Sequence, residues 1–96
     1  MSDLQLVLAS DAMNDIDQAV EYYNSVSDGL GFEFANTIDG YFTKIQQVPT
    51  ASAIRYDQVR VKPVETFPFA IHYTITVSEI IILRVFNTHQ KPIITR

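Results

Sequence analysis

Residues Phe69–Phe86, FAIHYTITVSEIIILRVF, decide how the chain folds. Phe69, Ile71, Tyr73, Ile75 and Val77 alternate strictly with Ala70, His72, Thr74 and Thr76. A period of two places the first set on one face of a β-strand, so a strand is predicted over 69–77. Ser78-Glu79 follows as a tight turn. Ile80 to Phe86 is then apolar on both parities except at Arg84, the pattern of an interior strand covered on both faces. The two segments are predicted to pair as an antiparallel hairpin.

Upstream of this hairpin the period changes. Leu4, Leu6 and Leu8 alternate, which predicts a short strand over 4–8. Ala12, Ile16, Ala19, Tyr23 and Val26 recur at three- and four-residue steps and form one helical face over 11–26. Ser10 is the predicted N-cap of that helix. Asp11 and Asp15 suit the positive end of its dipole. Ser27-Asp28-Gly29 ends it, with Gly29 as a left-handed cap. A second helix is predicted over 31–47, with Phe34, Ala35, Ile38, Phe42 and Ile45 on its apolar face and Pro49 as its stop. Gly40 lies inside it, and a close approach between the helices is expected there. The short link between the helices predicts an antiparallel helical hairpin.

Between the second helix and the hairpin, Ile54 and Tyr56 share one parity and Val59 and Val61 the other. The slip at Asp57-Gln58 predicts a loop or bulge, and Glu65-Thr66 falls at a turn. The predicted order is β-α-α-β-β-β. It describes an α+β domain spanning 1–96, with two helices on a mainly antiparallel sheet.

Composition narrows the chemistry. The 96 residues suffice for one domain, and 47% are hydrophobic, which predicts a packed core. There is no cysteine, so disulfides, thiolate nucleophiles and Cys-ligated zinc are excluded, in keeping with a cytoplasmic protein. No apolar stretch reaches the roughly 18 residues of a membrane span, and residues 1–11 lack the features of a secretory signal. No metal-ligand spacing, Gly-rich phosphate loop or other cofactor signature is present. Net charge is −4 but unevenly placed. Residues 1–50 carry eight acids and one base, a net of −7, whereas residues 51–96 carry three acids and six bases, a net of +3. Two electrostatic faces follow from that split.

Several strings resemble the RelE/ParE toxin superfamily. Ala12…Asp15-Ile16…Ala19…Tyr22-Tyr23 is similar to the first helix of these toxins, and Leu30-Gly31…Phe34…Ile38…Ile45…Pro49 to the second. Tyr56…Val59-Arg60, then Phe67-Pro68-Phe69-Ala70-Ile71…Tyr73, resemble two of their strands, and Ile80–Phe86 their central strand. The resemblance covers nearly the whole chain. It implies a helical hairpin on a curved antiparallel sheet and a role as the toxin of a bacterial type II toxin–antitoxin, or plasmid stabilisation, system. RelE-like members cut mRNA in the ribosome. ParE-like members inhibit DNA gyrase. The implied partner of both is a ParD- or RelB-like antitoxin, and a homodimer is a further assembly within the family's range.

At the C-terminal end the chain departs from the family pattern. Asn87 and Gln90 stand where many relatives carry His and Arg, and Ile93-Ile94-Thr95 where an aromatic residue is common.

Cutting RNA requires a proton acceptor, a proton donor and cations near the phosphate. The candidates for that chemistry are Arg60, Arg84, His89 and Lys91, with Arg96 as a further cation. Arg60, Lys62, Arg84 and Lys91 are also the candidates for binding a partner. Arg84 interrupts an apolar run, so it must reach a carboxylate or the open face. His72 reads as a packed histidine and Tyr73 as a core residue. A pI near 4.8 opposes phosphate binding, which rests on neutralising charge. The sequence therefore favours a ParE-like protein-binding module over the two other readings, a RelE-like endoribonuclease and a non-toxic member that keeps the fold.

Overall fold

The computed structural model describes residues 4–89. The elements run β1 (Gln5–Leu8), α1 (Ser10–Val26), α2 (Leu30–Gln47), a 3-10 turn (Pro49–Ala51), β2 (Ile54–Tyr56), β3 (Val59–Val64), β4 (Phe69–Ile75) and β5 (Glu79–Asn87). Four strands follow the helices, one more than expected. The slip at Asp57-Gln58 is a two-residue hairpin turn, because Tyr56 pairs directly with Val59. Both turn residues have positive φ, 44° and 65°, which turns the chain back within two residues.

The sheet order is β1-β5-β4-β3-β2. β4 and β5 pair antiparallel, as expected. β1 adds in parallel to β5, with Gln5 opposite Glu79 and Leu8 opposite Ile82. A bulge interrupts β5. His72 faces Arg84 but Tyr73 faces Ile82, leaving Leu83 without a partner on β4. β4 stops at Ile75, short of the expected 77. Val77 is exposed at the hairpin tip, and Thr76 N–H donates to the Glu79 carbonyl to close the turn.

Both helices cover one face of the sheet. Ala12 and Ala19 from α1 and Phe34, Ile38, Phe42 and Ile45 from α2 meet Ile71, Tyr73, Ile80, Ile82 and Val85. The β5 side chains of opposite parity, Ile81 and Phe86, are only half-buried, so the expected cover on both faces is incomplete. Val26, expected on the apolar face, is exposed at the last residue of α1.

Three local expectations change. Ser10 is the first helical residue, Ala9 precedes it, and no side chain caps the helix. Gly29 is left-handed (φ 85°), but it serves as the residue entering α2. The close approach between helices is at Gly31, not Gly40. A Cβ on Gly31 would strike the Val20 carbonyl and lie 2.7 Å from Asn24 Cγ, whereas one on Gly40 would meet nothing. Asn24 Oδ1 accepts the Gly31 N–H at 2.8 Å, so a residue of α1 satisfies a free donor at the start of α2.

Candidate functional site

β1 covers β5 only as far as Ile82, whose carbonyl accepts the Ala9 N–H. Beyond that point no described strand pairs with this edge of β5, and α1 lies beside it. Asp15 occupies the gap. Its Oδ2 accepts from Arg84 Nε at 2.8 Å and from the Val85 N–H at 2.9 Å, and its Oδ1 accepts from Arg84 Nη2 at 2.9 Å. The guanidinium also lies 4.2 Å from the centre of the Phe86 ring. The hydrogen bond that Arg84 donates to Asp15 is the main cause that raises the Arg84 pKa, against the smaller opposing effect of burial. Arg84 is a fixed cation, neutralised by one carboxylate and stacked on one ring. Asp15, read from sequence as a helix-dipole charge and as part of the first-helix resemblance, is its partner. Nothing local in the sequence marks a pairing across 69 residues.

His72 sits opposite Arg84. It is buried, its Nδ1 shares a 2.9 Å hydrogen bond with the Tyr56 hydroxyl, and its ring packs edge-on against Phe86. Burial holds its pKa below the usual histidine range, and the nearby Arg84 and Arg55 lower it further. Burial likewise raises the Tyr56 hydroxyl, with help from Asp57. His72 is thus a neutral packed histidine. Tyr73 is a core residue whose hydroxyl donates to the Pro49 carbonyl at 2.6 Å.

Arg60 and Lys62 lie elsewhere. Directly paired residues share a face, and Arg60 pairs with Tyr73 and Lys62 with Ile71. Both therefore leave from the helix-covered side, and Arg84 from the other. Arg60 Nη1 donates to the Ser52 carbonyl at 2.7 Å and weakly to Thr50 at 3.4 Å, which ties it to the loop after α2. Lys62 Nζ lies 5.7 Å from the centre of the Tyr41 ring. Lys44, which sequence reasoning passed over, approaches the same ring at 5.1 Å. The signal available in the sequence was the three-residue step from Tyr41 to Lys44 on one helix. His89 is exposed, with its backbone N–H on Asn87 Oδ1. Gln90, Lys91 and Arg96 lie outside the described residues. Among the described residues, no cluster of three metal-ligating side chains occurs and no helix is long and apolar enough to cross a membrane.

A groove of about 330 Å³ runs between α1 and β5, with Gln18, Tyr22, Phe86 and Asn87 on its walls. A second, of about 510 Å³, runs between β1 and α2, floored by Leu6, Leu8, Ile38 and Phe42.

No family model matches the chain, and no curated protein sequence does. Ten chains of solved structures match. One belongs to the chromosomal ParDE toxin–antitoxin system from P. aeruginosa, with a TM-score of 0.80 and 24% identity, covering 88% of this chain and 96% of that one. The chain shares that fold along nearly its full described length.

Proposed function

We propose that this protein is the toxin component of a type II toxin–antitoxin system, ParE-like in type, acting by binding another protein and neutralised by a cognate antitoxin. The observation that carries this reading is the near-complete overlap with a chain of the ParDE structure. The expected partner is a ParD-like antitoxin encoded beside it, the expected target is DNA gyrase, and the expected compartment is the cytoplasm.

The electrostatics support protein binding over RNA cleavage. Arg84 is neutralised by Asp15, and His72 is buried with Nδ1 engaged. Arg60 and Arg84 leave opposite faces of the sheet. A nuclease of this size needs converging free cations at one phosphate.

Expression alone and together with the adjoining reading frame tests the proposal. Growth arrest relieved by the neighbour, co-purification of the two proteins, and inhibition of gyrase supercoiling by the isolated chain are the expected results. A neighbour that neither co-purifies nor relieves arrest overturns the reading. Codon-spaced cuts in translated message, lost in Arg60→Ala, would replace it with the nuclease.

A further inference from the structure

Tyr41 stands on α2 with its ring against β3. Its hydroxyl accepts the Glu65 backbone N–H at 3.1 Å, which ties the ring to the turn after β3 and fixes its orientation. Two ammonium groups converge on that ring, Lys44 at 5.1 Å and Lys62 at 5.7 Å from its centre. Both distances lie within the reach of a cation–π contact, and together they keep the ammonium groups no more than about 11 Å apart. Arg60 lies two residues before Lys62 on the same strand face.

Among the described residues, the only salt bridge is Arg84–Asp15, so neither lysine has a carboxylate partner there. Glu65, three residues beyond Lys62, contacts this platform through its backbone N–H. In a chain of net charge −4, two like charges are gathered on one aromatic platform without a counter-charge.

We propose that Lys44, Lys62 and the Tyr41 ring between them form an anchoring site for an acidic polypeptide segment carrying two carboxylates about one helical turn apart. The proposal rests on the antitoxin reading and names where such a partner's acids sit. Carboxylates at positions i and i+4 of a helix start from Cβ atoms about 5–6 Å apart, within the span of about 11 Å that bounds the two ammonium groups. A nucleic acid fits less well. Its phosphates continue along the strand in both directions, and α2 itself carries exposed Glu33 and Asp39, which repel a polyanion. A polypeptide can end its acidic run and set basic residues against those acids.

The test uses the full chain and the product of the adjoining reading frame. Dissociation constants are measured for the wild type, Lys44→Glu/Lys62→Glu, Lys44→Arg/Lys62→Arg, and the exposed Asp28→Asn as a control outside the site. Thermal unfolding confirms that each variant folds. Charge reversal is expected to weaken binding by about tenfold or more. The arginine pair is expected to stay within about twofold, because the positive charge is retained. Raising the salt concentration should narrow the gap between wild type and reversal. Equal affinities for wild type and the reversed pair would overturn the site while leaving the antitoxin reading intact. Failure of the wild type to bind would overturn both. A single-stranded oligonucleotide that displaces the partner, and itself loses affinity for the reversed pair, would reassign the patch to nucleic acid.

Discussion

The carboxylate of Asp15 receives Arg84 through two parallel hydrogen bonds of 2.8 and 2.9 Å, and takes the adjoining Val85 N–H as a third. One side chain thereby neutralises a half-buried guanidinium and completes the backbone pairing of β5 where β1 ends. Truncation should be costly, because it strands a partly buried cation and a backbone donor together. Asp15→Ala is expected to destabilise the protein by about 2–3 kcal/mol. At this chain length each kcal/mol lowers Tm by roughly 4–8 °C. Asp15→Asn, which keeps an acceptor for Val85, should cost less. A loss below about 0.5 kcal/mol in chemical denaturation would place the pair among inconsequential surface ion pairs.

The two helical glycines should respond in opposite directions. Gly40→Ala enters open space and should stabilise by up to about 1 kcal/mol through helix propensity. Gly31→Ala forces a methyl group against the Val20 carbonyl and the Asn24 side chain, and should destabilise by about 1–3 kcal/mol. Urea midpoints of the two variants decide the matter, and the same sign for both would refute the packing described.

His72 gives a pH signature. Its folded pKa is depressed by burial first and by Arg84 and Arg55 next. The unfolded chain therefore binds a proton before the folded one does. The contribution of neutral His72 is present above the ordinary histidine value of about 6.5 and is lost as pH falls below it toward the folded pKa. Unfolding free energies measured between neutral and mildly acid pH should fall more steeply for the wild type than for His72→Gln. Parallel curves would show that His72 titrates normally.

At the β2–β3 turn, Asp57 and Gln58 hold φ of 44° and 65°. Residues other than Gly, Asn and Asp adopt this region at a cost of roughly 1–2 kcal/mol, which falls here on Gln58. The Gln58 carbonyl accepts from Thr74, and a glycine preserves that bond. Asp57→Asn/Gln58→Gly, the favoured pair for such a turn, is expected to raise stability by about 0.5–1 kcal/mol, read as a higher Tm. A lower Tm would mean that the native side chains support the turn.

These positions also mark how far the sequence could be read. The hairpin of β4 and β5 was legible because Ile71 and Tyr73 alternate with His72, and the helices because Phe34, Ile38, Phe42 and Ile45 keep one face. Val77 misled, since an apolar residue at a turn tip continues the alternation without continuing the strand. Gly40 and Gly31 look alike in sequence, and only the placement of α1 separates them. At Asp57-Gln58 the usual glycine of a left-handed turn is missing, so two strands read as one. The candidate cations were visible one by one. Their sorting to opposite faces, with Arg84 paired to Asp15 and Lys62 and Lys44 sharing Tyr41, depends on register and on contacts between distant segments.

The parallel seam between β1 and β5 has a bearing on how the chain is made. Gln5 to Leu8 leave the ribosome early, yet their hydrogen-bond partners are Glu79 to Ile82. At synthesis rates of roughly 5–20 residues per second, several seconds pass before the second half of the seam exists. Over that interval the helical hairpin lacks Ile80, Ile82 and Val85 of β5, which complete the core around Phe34, Ile38 and Phe42. The nascent chain is then a target for chaperones and proteases. A message truncated before β5 cannot form the described sheet, because β5 joins β1 to β4 and follows every other described element.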